Sequence, residues 1–470
     1  MSASRKGYFD FSYLPEIFAL AWPTMLEQML STAVQYIDTA MVGSLGTDAT
    51  AAVGSTSTVN WLLLSTVSAC GVGFLAYISQ ARGRHEYDKA KTAVMQAFIT
   101  VLILGTVFTV GVLSVSRAIP VWMNVEPGIR DLASRYFFVS YLTMLPRTAS
   151  MILGTVLSAS GDTRSPMRIN ISMNIINVVL NFFLINPSRT VSILGMDIPV
   201  IGAGLGVIGA AAASALSYLF GGIMMTVTVF MHEDISPKGL PFRIDREIME
   251  PCLKTALPNM LQRFGSSLGY VVFASLINAL GGISIASHTI ANTVESAFYI
   301  PAFGMMSAAA TLTGNCIGAG DHDRLKKISR VTILSETVLM IFSGSMLFIF
   351  APDLVRIFSK DPAVIKLCST VLRMVACSEP FFGVSTVLEG MLQGAGDTRF
   401  SFFANIITMW AVRILGTFIT TKILGMSLIS AWACMIGHNV TLFFCYLIYY
   451  RTGKWAKPLN DVGKEEALNA

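Results

Sequence analysis

The chain has 470 residues, of which 53% are hydrophobic and only 13% are charged, and its formal net charge is +5. Soluble proteins have about 25% charged residues, so this composition excludes an ordinary soluble domain. Apolar runs of about 20 residues, long enough to cross a bilayer as a helix, recur along the whole sequence. We therefore expect an all-α integral membrane protein. The seven cysteines form no Cys-x-x-Cys pair, which argues against a metal site or a disulfide framework.

The apolar runs predict twelve transmembrane helices. Their approximate bounds are 14–42, 49–80, 92–116, 131–158, 166–187, 203–231, 253–280, 286–317, 328–350, 364–393, 400–422 and 427–450. Several are longer than the roughly 20 residues that a crossing needs, so we expect tilt or extension beyond the bilayer. The longest link follows the sixth span and separates residues 1–235 from residues 236–470.

The two halves of the chain are repeats of one another. The tetrapeptide Gly-Asp-Thr-Arg at 161–164 recurs at 396–399, which is half the chain length later. The same half-chain offset relates Ala21, Pro23, Met25, Leu26 and Ser31 to Ala256, Pro258, Met260, Leu261 and Ser266. This repeat predicts two pseudo-symmetric six-helix lobes with a cavity between them, as in many transporters. Because six is even, both lobes have the same orientation, which makes the repeat a parallel one.

The basic residues of the short links lie mostly on one side of the predicted topology. That side has about 19 Lys and Arg and the other about 7, and such an excess marks the cytoplasmic side. We expect both termini to be cytoplasmic in a multi-pass protein of the plasma membrane. This bias accounts for the net charge, so no nucleic-acid partner is expected.

Polar residues inside the spans are costly in lipid and should face the protein interior or water. Glu27 and Asp38 in span 1 are eleven residues apart, which places them on one helix face to within about 20°. Spans 5 and 8 each have a stripe with a spacing of four, three and four residues. The stripes are Asn170, Asn174, Asn177 and Asn181, and His288, Asn292, Glu295 and Tyr299.

Each polar residue also has a structural interpretation. Intramembrane asparagines often join helices by hydrogen bonds worth about 0.6 kcal/mol each. Glu379 and Arg413 could neutralise one another, and Arg147 could extend towards the cytoplasmic surface. Asp38 and Glu295 are harder to explain in this way, since they lie at similar depth, one in each lobe. A dehydrated carboxyl group can exchange a proton, or it can hold Na⁺ together with amide oxygens, and neither role needs a cofactor or a bound metal.

Four segments of the chain form a recognisable set. They are Ile-Asp-Thr-Ala-Met-Val-Gly-Ser-Leu-Gly at 37–46, Gly-Asp-Thr-Arg at 161–164, the eighth-span sequence 286–312, and Gln-Gly-Ala-Gly-Asp-Thr-Arg at 393–399. Together they resemble the multidrug and toxic compound extrusion (MATE) family, and the resemblance extends from Pro23 to about Tyr450. The resemblance implies two six-helix lobes around a V-shaped cavity. It also implies export of organic cations or amphiphilic compounds in exchange for H⁺ or Na⁺. We expect a monomer whose partners are these compounds and the lipid bilayer.

The resemblance also implies roles for individual residues. Asp38 matches the first-span acid that couples transport to H⁺ or Na⁺, and Asn177 matches an asparagine of the same site. Some members have Asp where this chain has Asn181, and another subgroup has acids where this chain has Ser266 and Phe382. The predicted ion-coupling residues are Asp38, Asn177, Asn181, Gln35 and Glu295. The predicted substrate-cavity residues are Glu27, Asn174, Asn292, Glu295, Tyr299, Glu379 and Arg413.

Three other functions compete with cation export. A lipid or oligosaccharide flippase of the same superfamily should have a more basic cavity than the acidic and amide-rich stripes of this chain. A membrane-embedded enzyme should have a nucleophile or metal motif such as His-Glu-x-x-His, which the five histidines do not form. A major-facilitator transporter shares the twelve spans, but its Gly-x-x-x-Asp-Arg pattern is not found at 80–84. We therefore predict an antiporter and not an enzyme.

Overall fold

The structure is a computed structural model that describes residues 9–123, 125–193 and 196–459. Spans 1–6 are Leu14–Gly43, Thr47–Gly83, Tyr87–Val115, the pair Arg130–Tyr141 and Met144–Ala159, Arg164–Leu184, and Gly206–Met231. Spans 7–12 are Arg246–Asn278, the pair Gly282–Phe298 and Ile300–Gly318, His322–Phe358, the pair Pro362–Ala376 and Glu379–Ala395, Thr398–Ile423, and Leu428–Thr452. The twelve predicted spans are thereby confirmed.

The spans differ in length and hydropathy, the two properties that a single helix needs to cross a membrane. Seven helices are long and apolar enough alone, and the pair that forms span 10, bent by 51°, makes an eighth. The other four are spans 1, 4, 7 and 8. Spans 1 and 7 contain several charged residues, whereas spans 4 and 8 are each divided into two helices. These are the spans whose polar residues must be satisfied inside the protein.

Three spans are divided where the sequence analysis expected continuous helices. In each, a proline lies in the first turn of the second helix, namely Pro146, Pro301 and Pro380. Proline lacks the N–H that would continue the preceding helix, and its ring clashes with the carbonyl group four residues earlier. The breaks therefore leave three helix N-termini inside the bundle, in spans 4, 8 and 10.

Two further features were not predicted. Between spans 5 and 6 the chain forms an antiparallel hairpin of Pro187–Ile193 and Met196–Ala203, a small exception to the expected all-α fold. Span 11 contains two π-helical stretches, Thr408–Ile414 and Ile419–Ile423. The first includes Arg413. π-helical turns widen a helix locally and occur frequently at functional sites.

The repeated glycines Gly161 and Gly396 show that the two halves have the same orientation. Both have a φ of +85°, which favours glycine because it has no Cβ. Gly161 lies beside the end of span 2, since a Cβ at Gly161 would be 3.4 Å from the guanidinium of Arg82. Gly396 lies beside the same end, since Gln80 donates to the carbonyl oxygen of the preceding residue, Ala395, at 3.1 Å. Both turns therefore lie at the end of span 2. We call this end of the bundle, which carries Arg82, Arg84 and Lys89, the basic end.

The two lobes meet at the basic end through a close contact between spans 2 and 8. A Cβ at Gly83 would overlap the carbonyl oxygen of Asn315, and a Cβ at Gly318 would overlap that of Gln80. Gly83 and Gly318 are related by the half-chain offset, as are Gln80 and Asn315. The contact is therefore reciprocal, as expected where a pseudo-two-fold axis passes between two equivalent helices.

Spans 1 and 7 exchange packing partners between the lobes at the same end. Ile17 and Ala21 of span 1 belong to a buried cluster with Met305 and Leu388 of the second half. The equivalent residues of span 7, Cys252 and Ala256, belong to a cluster with Phe74 and Ile152 of the first half. Each lobe thus completes its core with the first turns of the other.

The segment after span 12 also closes the basic end. The buried amide of Gln80 donates to the carbonyl oxygens of Gly394 and Ala395, both at 3.1 Å, and accepts from the backbone N–H of Leu459 at 3.0 Å. The Leu459 side chain packs on Gly396. One glutamine thereby joins span 2, the end of span 10 and the chain that follows span 12.

A methyl group at the reciprocal contact should destabilise this arrangement of the lobes. We expect Gly83→Ala and Gly318→Ala each to lower the free energy of unfolding by about 1–3 kcal/mol, the usual cost of overpacking, because the obstructing atom is backbone. Thermal unfolding of the purified protein in detergent measures this. Gly111→Ala is the control, since a Cβ there meets nothing within 4 Å. An equal loss of stability in all three variants would contradict the proposed contact.

Candidate functional site

Polar side chains join spans 1 and 5 along their length. Asn170 Nδ2 donates to Glu27 Oε1 at 2.7 Å, Asn174 Nδ2 to Ser31 Oγ at 3.1 Å, and Asn181 Nδ2 to Asp38 Oδ1 at 2.6 Å. In each pair the two residues are 143 positions apart, so the two helices run parallel in a constant register. The asparagine stripe of span 5 thus faces the polar stripe of span 1.

Asp38 is the centre of a small polar cluster in the first lobe. Asn181 is 1% exposed and Asn177 is 7% exposed, while Asp38 itself is half-buried. One of the two side-chain amide atoms of Asn177 lies 2.9 and 3.0 Å from the two carboxylate oxygens of Asp38. The other amide atom lies 3.2 Å from Ser214 Oγ. Spans 1, 5 and 6 therefore each contribute to this cluster.

The Asn177 amide completes the cluster when its nitrogen faces Asp38. In that orientation the nitrogen donates to the carboxylate and the Asn177 oxygen accepts from Ser214. The Asp38 carboxylate therefore accepts from both asparagines. A carboxylate surrounded by neutral amide and hydroxyl groups is a group that can take up and release a single proton or small cation.

Gln35 lies on the same helix as Asp38 but does not join this cluster. Its side chain is exposed, and in the described part of the chain no hydrogen bond joins it to Asp38. Ser214 was not identified from the sequence. The helical spacing of span 6 alone does not distinguish a serine that completes a site from one that bonds its own backbone.

The equivalent positions of the second lobe are apolar. At the half-chain offset, Asp38, Asn177 and Asn181 correspond to Phe273, Val412 and Gly416. Spans 7 and 11 are joined instead by Ser266 Oγ, which donates to Asn405 Oδ1 at 2.8 Å, and by Thr398 Oγ1, which donates to the Thr255 carbonyl oxygen at 2.6 Å. The Asp38 cluster is therefore a specific site of the first lobe rather than a repeated structural element.

Among the described residues of the second lobe, three buried carboxyl groups lie near one another. Glu295 of span 8 is 2% exposed, Glu336 of span 9 is 0% exposed and Glu379 of span 10 is 1% exposed. A Cβ at Gly383, one turn after Glu379, would overlap Glu336 Oε1, and a Cβ at Gly344 of span 9 would lie 3.3 Å from Glu379 Cβ. The carboxyl groups of spans 9 and 10 are therefore neighbours, and Glu295 is near enough to act on Glu379 electrostatically. Among the described residues, neither oxygen of Glu336 or Glu379 has a hydrogen-bond partner. The sequence analysis missed Glu336, although a charged residue near the middle of an apolar span was itself a sufficient signal.

Aromatic side chains and Arg413 surround this cluster. The Tyr299 hydroxyl interacts with Glu295, and its ring lies 4.3 Å from that of Phe382. The Arg413 guanidinium lies 4.6 Å from the Tyr270 ring centre and 4.3 Å from that of Phe273. In the described residues Arg413 makes no ion pair with Glu379, so the neutralising pair considered from the sequence is not formed.

The remaining predicted cavity residues, Asn292 and Glu27, make hydrogen bonds outside these clusters. Asn292 is exposed and bonds His288 Nε2 through its amide nitrogen at 3.0 Å. Glu27 is half-buried beside Asn170, and its counterpart in the second lobe is Gln262, which donates to Glu389 at 3.0 Å. Glu389 also accepts from Arg263 at 3.4 Å and from Gln393 at 3.2 Å. Glu389 is thus a structural carboxylate with three donors, unlike the carboxyl groups of spans 8–10.

Arg147 does not extend to the surface, contrary to the interpretation considered from the sequence. It is 7% exposed and bonds Asn60 Oδ1 at 3.4 Å and the Tyr218 hydroxyl at 3.2 Å. Tyr141 donates to the same Asn60 oxygen at 2.8 Å. The first lobe therefore contains a buried cation as well as the Asp38 cluster.

A comparison with known proteins identifies related sequences along nearly the whole chain. A probable multidrug resistance protein NorM of Thermotoga maritima is 26% identical over 460 residues, which cover 96% of each chain. A probable multidrug resistance protein YpnP of Bacillus subtilis is 26% identical over 94% of this chain and 96% of that protein.

The fold also matches solved structures. A transporter of the MOP superfamily from Pyrococcus furiosus, described as having a binding pocket of reverse polarity, superposes with a TM-score of 0.84 at 20% identity over 93% of this chain and 95% of that chain. The MatE family model matches residues 23–183 and again residues 258–419, one match in each half. The chain therefore belongs to the MatE family.

Proposed function

We propose that this protein is a secondary antiporter that exports organic cations or cationic amphiphiles in exchange for H⁺ or Na⁺. The observation that carries this proposal is the Asp38 cluster, in which one carboxylate, two asparagines and Ser214 meet inside the first lobe. Relatives that span almost the same length are named as probable multidrug resistance proteins, which supports export of varied compounds.

The Asp38 cluster has the composition of a site for a single small cation. Asn181 contributes a neutral amide where a second carboxylate would add another negative charge. Glu27 already accepts from Asn170, about 16 Å away along the same helix. A proton or Na⁺ at Asp38 would be released when the lobes rearrange and change the surroundings of the carboxylate. Coupling requires this difference in ion affinity between the two conformations.

The acidic cluster of the second lobe suits a cationic substrate. Three carboxyl groups in a region of reduced dielectric attract a cation strongly, although their dehydration offsets part of that gain. The rings of Tyr299 and Phe382 can add a cation–π contribution of about 0.5–2 kcal/mol. Because the three groups are buried in this conformation, we propose that substrate reaches them in another step of the transport cycle.

The orientation of the protein follows from its basic links. Lys and Arg in short links favour the cytoplasmic side of the plasma membrane, so the basic end should be cytoplasmic. The reciprocal contact of Gly83 and Gly318 then closes the cytoplasmic side of the seam between the lobes. Transport requires this contact to open, and the substrate cavity would then face the cytoplasm.

Replacing Asp38 should separate transport from folding. We expect Asp38→Asn to abolish uptake of a fluorescent cation driven by an imposed gradient in proteoliposomes, because the amide cannot bind or release the coupling ion. H⁺ and Na⁺ gradients are applied separately to identify the ion. The thermal midpoint in detergent should remain within a few degrees of the unmodified protein.

Asp48→Asn is the matched control, since Asp48 is an exposed acid at the start of span 2. It should transport like the unmodified protein. Normal gradient-driven uptake by Asp38→Asn would rule out the assigned coupling role. Gradient-driven movement of a labelled phospholipid, without movement of the cation, would favour a flippase instead.

Replacing Glu295 should reveal whether it binds substrate. We expect Glu295→Gln to weaken binding of a cationic dye at least about ten-fold, and binding of a neutral amphiphile of similar size hardly at all, because the lost attraction depends on charge. Equilibrium fluorescence titration in detergent measures both affinities.

Glu126→Gln controls for a general change in surface charge, because Glu126 is exposed in the link between spans 3 and 4. Equal losses for the two compounds, together with loss of the ion dependence, would assign Glu295 to the coupling ion. Unchanged affinity for both compounds would leave it a structural role.

A further inference from the structure

The second helix of span 4 creates an electropositive point inside the first lobe. This helix, Met144–Ala159, begins at the break after Tyr141, and Thr143 precedes it without capping it through its side chain. The first turn of any helix leaves backbone N–H groups without intrahelical partners and carries a partial positive charge. The hydroxyl of Thr143 is itself buried and has no hydrogen-bond partner among the described residues.

Arg147 adds a full positive charge to the same turn. Its side chain is more than nine-tenths buried, and its Nε has no hydrogen-bond partner in the part of the chain that the structure describes. Its contacts are neutral, namely Asn60 Oδ1, the Tyr218 hydroxyl, and the face of the Tyr218 ring at 4.1 Å. Within the described residues no carboxylate lies within ion-pair distance of Arg147. A buried guanidinium without a counter-ion costs several kcal/mol, so this arrangement is one that an anion would complete.

The pseudo-symmetry of the chain shows what the first lobe lacks. The equivalent helix of the second lobe begins at Glu379, and the residue half a chain length before Glu379 is Met144. The second lobe thus places its own carboxylate at this helix N-terminus. The first lobe has an uncharged methionine there, and its Arg147 corresponds to Phe382. The two lobes therefore have opposite charge in the first turn of equivalent helices.

We propose that Arg147, Asn60, Tyr218 and the N-terminus of helix Met144–Ala159 form a binding site for a carboxylate group of the substrate. A guanidinium binds a planar carboxylate through two parallel hydrogen bonds, and the free Nε provides one of these donors. The helix N-terminus and the Thr143 hydroxyl are suited to the second oxygen. A single carboxylate balances the charge of Arg147.

This site lies beside the Asp38 cluster. Ser214, which bonds Asn177, and Tyr218, which bonds Arg147, are one helical turn apart on span 6. Asp38 and Arg147 also both act electrostatically on Tyr136. A substrate carboxylate bound at Arg147 would therefore change the electrostatic potential at the coupling residue. Transport of such a substrate rests on the proposed antiport, whereas its binding at Arg147 does not.

The test uses two probes that differ only in the carboxylate, an N-alkylated aromatic amino acid and its methyl ester. Both carry the same cationic amine. The ratio of the two dissociation constants is measured by fluorescence titration in detergent for the unmodified protein and for Arg147→Gln. We expect Arg147→Gln to lose at least about ten-fold in affinity for the free acid and to bind the ester unchanged.

Two further variants distinguish a loss of binding from a folding defect. Arg147→Lys keeps the charge but loses the two parallel hydrogen bonds, so it should fold and show a smaller fall in affinity for the acid alone. Arg117→Gln removes an exposed arginine outside the spans and should change neither affinity. Equal losses for acid and ester, or no loss for the acid in either Arg147 variant, would overturn the proposal and leave Arg147 as a link between spans 2, 4 and 6.

The outcome is independent of the proposed antiport. If the ester is not exported along an imposed ion gradient by the unmodified protein, the antiport proposal fails. The acid-to-ester ratio at equilibrium still decides whether Arg147 binds a carboxylate.

Discussion

The close contact between spans 2 and 8 is the constraint on which the arrangement of the two lobes depends. Backbone meets backbone there because Gly83 and Gly318 have no side chains. Gly83 lies against the carbonyl group of Asn315, and Gly318 lies against the carbonyl group of Gln80, the residue equivalent to Asn315. The first turns of spans 1 and 7 then complete the core of the opposite lobe. A duplicated chain can make such a contact twice, once from each half. The same contact must also separate if the lobes are to expose a cavity at the basic end.

On this symmetric framework the charged residues are placed asymmetrically. The first lobe has a half-buried Asp38 among amides and a buried Arg147, and the second has three buried carboxyl groups beside aromatic rings. A repeated structural element would keep equivalent residues in both halves, as Gly161 and Gly396 do. Asp38, Glu295, Arg147 and Glu379 have no charged counterparts. Each is costly inside a membrane, and a stabilising role would be expected to appear in both lobes. Their asymmetry favours separate tasks for the two lobes.

Much of the architecture was predictable because hydrophobic length and repetition are properties of the sequence itself. The twelve spans and the parallel repeat follow from apolar runs and from the half-chain offset of the repeated residues. The register between spans 1 and 5 was not predictable, since a stripe of asparagines shows that a helix has a polar face but not which helix it meets. The divisions at Pro146, Pro301 and Pro380 could not be predicted from proline alone, because Pro23 and Pro258 also lie in apolar runs and yet spans 1 and 7 are continuous helices. The hairpin at 187–203 was not predictable either, since its apolar and β-branched residues also suit the end of a span.

At the candidate site, too, the sequence shows which residues are unusual but not which neighbours they contact. Asp38 and Glu295 stand out in the sequence because charge inside a span is rare, and Glu336 should have stood out for the same reason. Arg147 was visible as well, but its interpretation depended on depth and on neighbours distant in the chain, Asn60 and Tyr218. A guanidinium near a helix end extends to water if the surface is within reach of its side chain. The break at Pro146 instead places Arg147 in the first turn of an internal helix, where the positive end of that helix adds to its charge. The proline that divides span 4 is therefore also what makes the first lobe electropositive at this point.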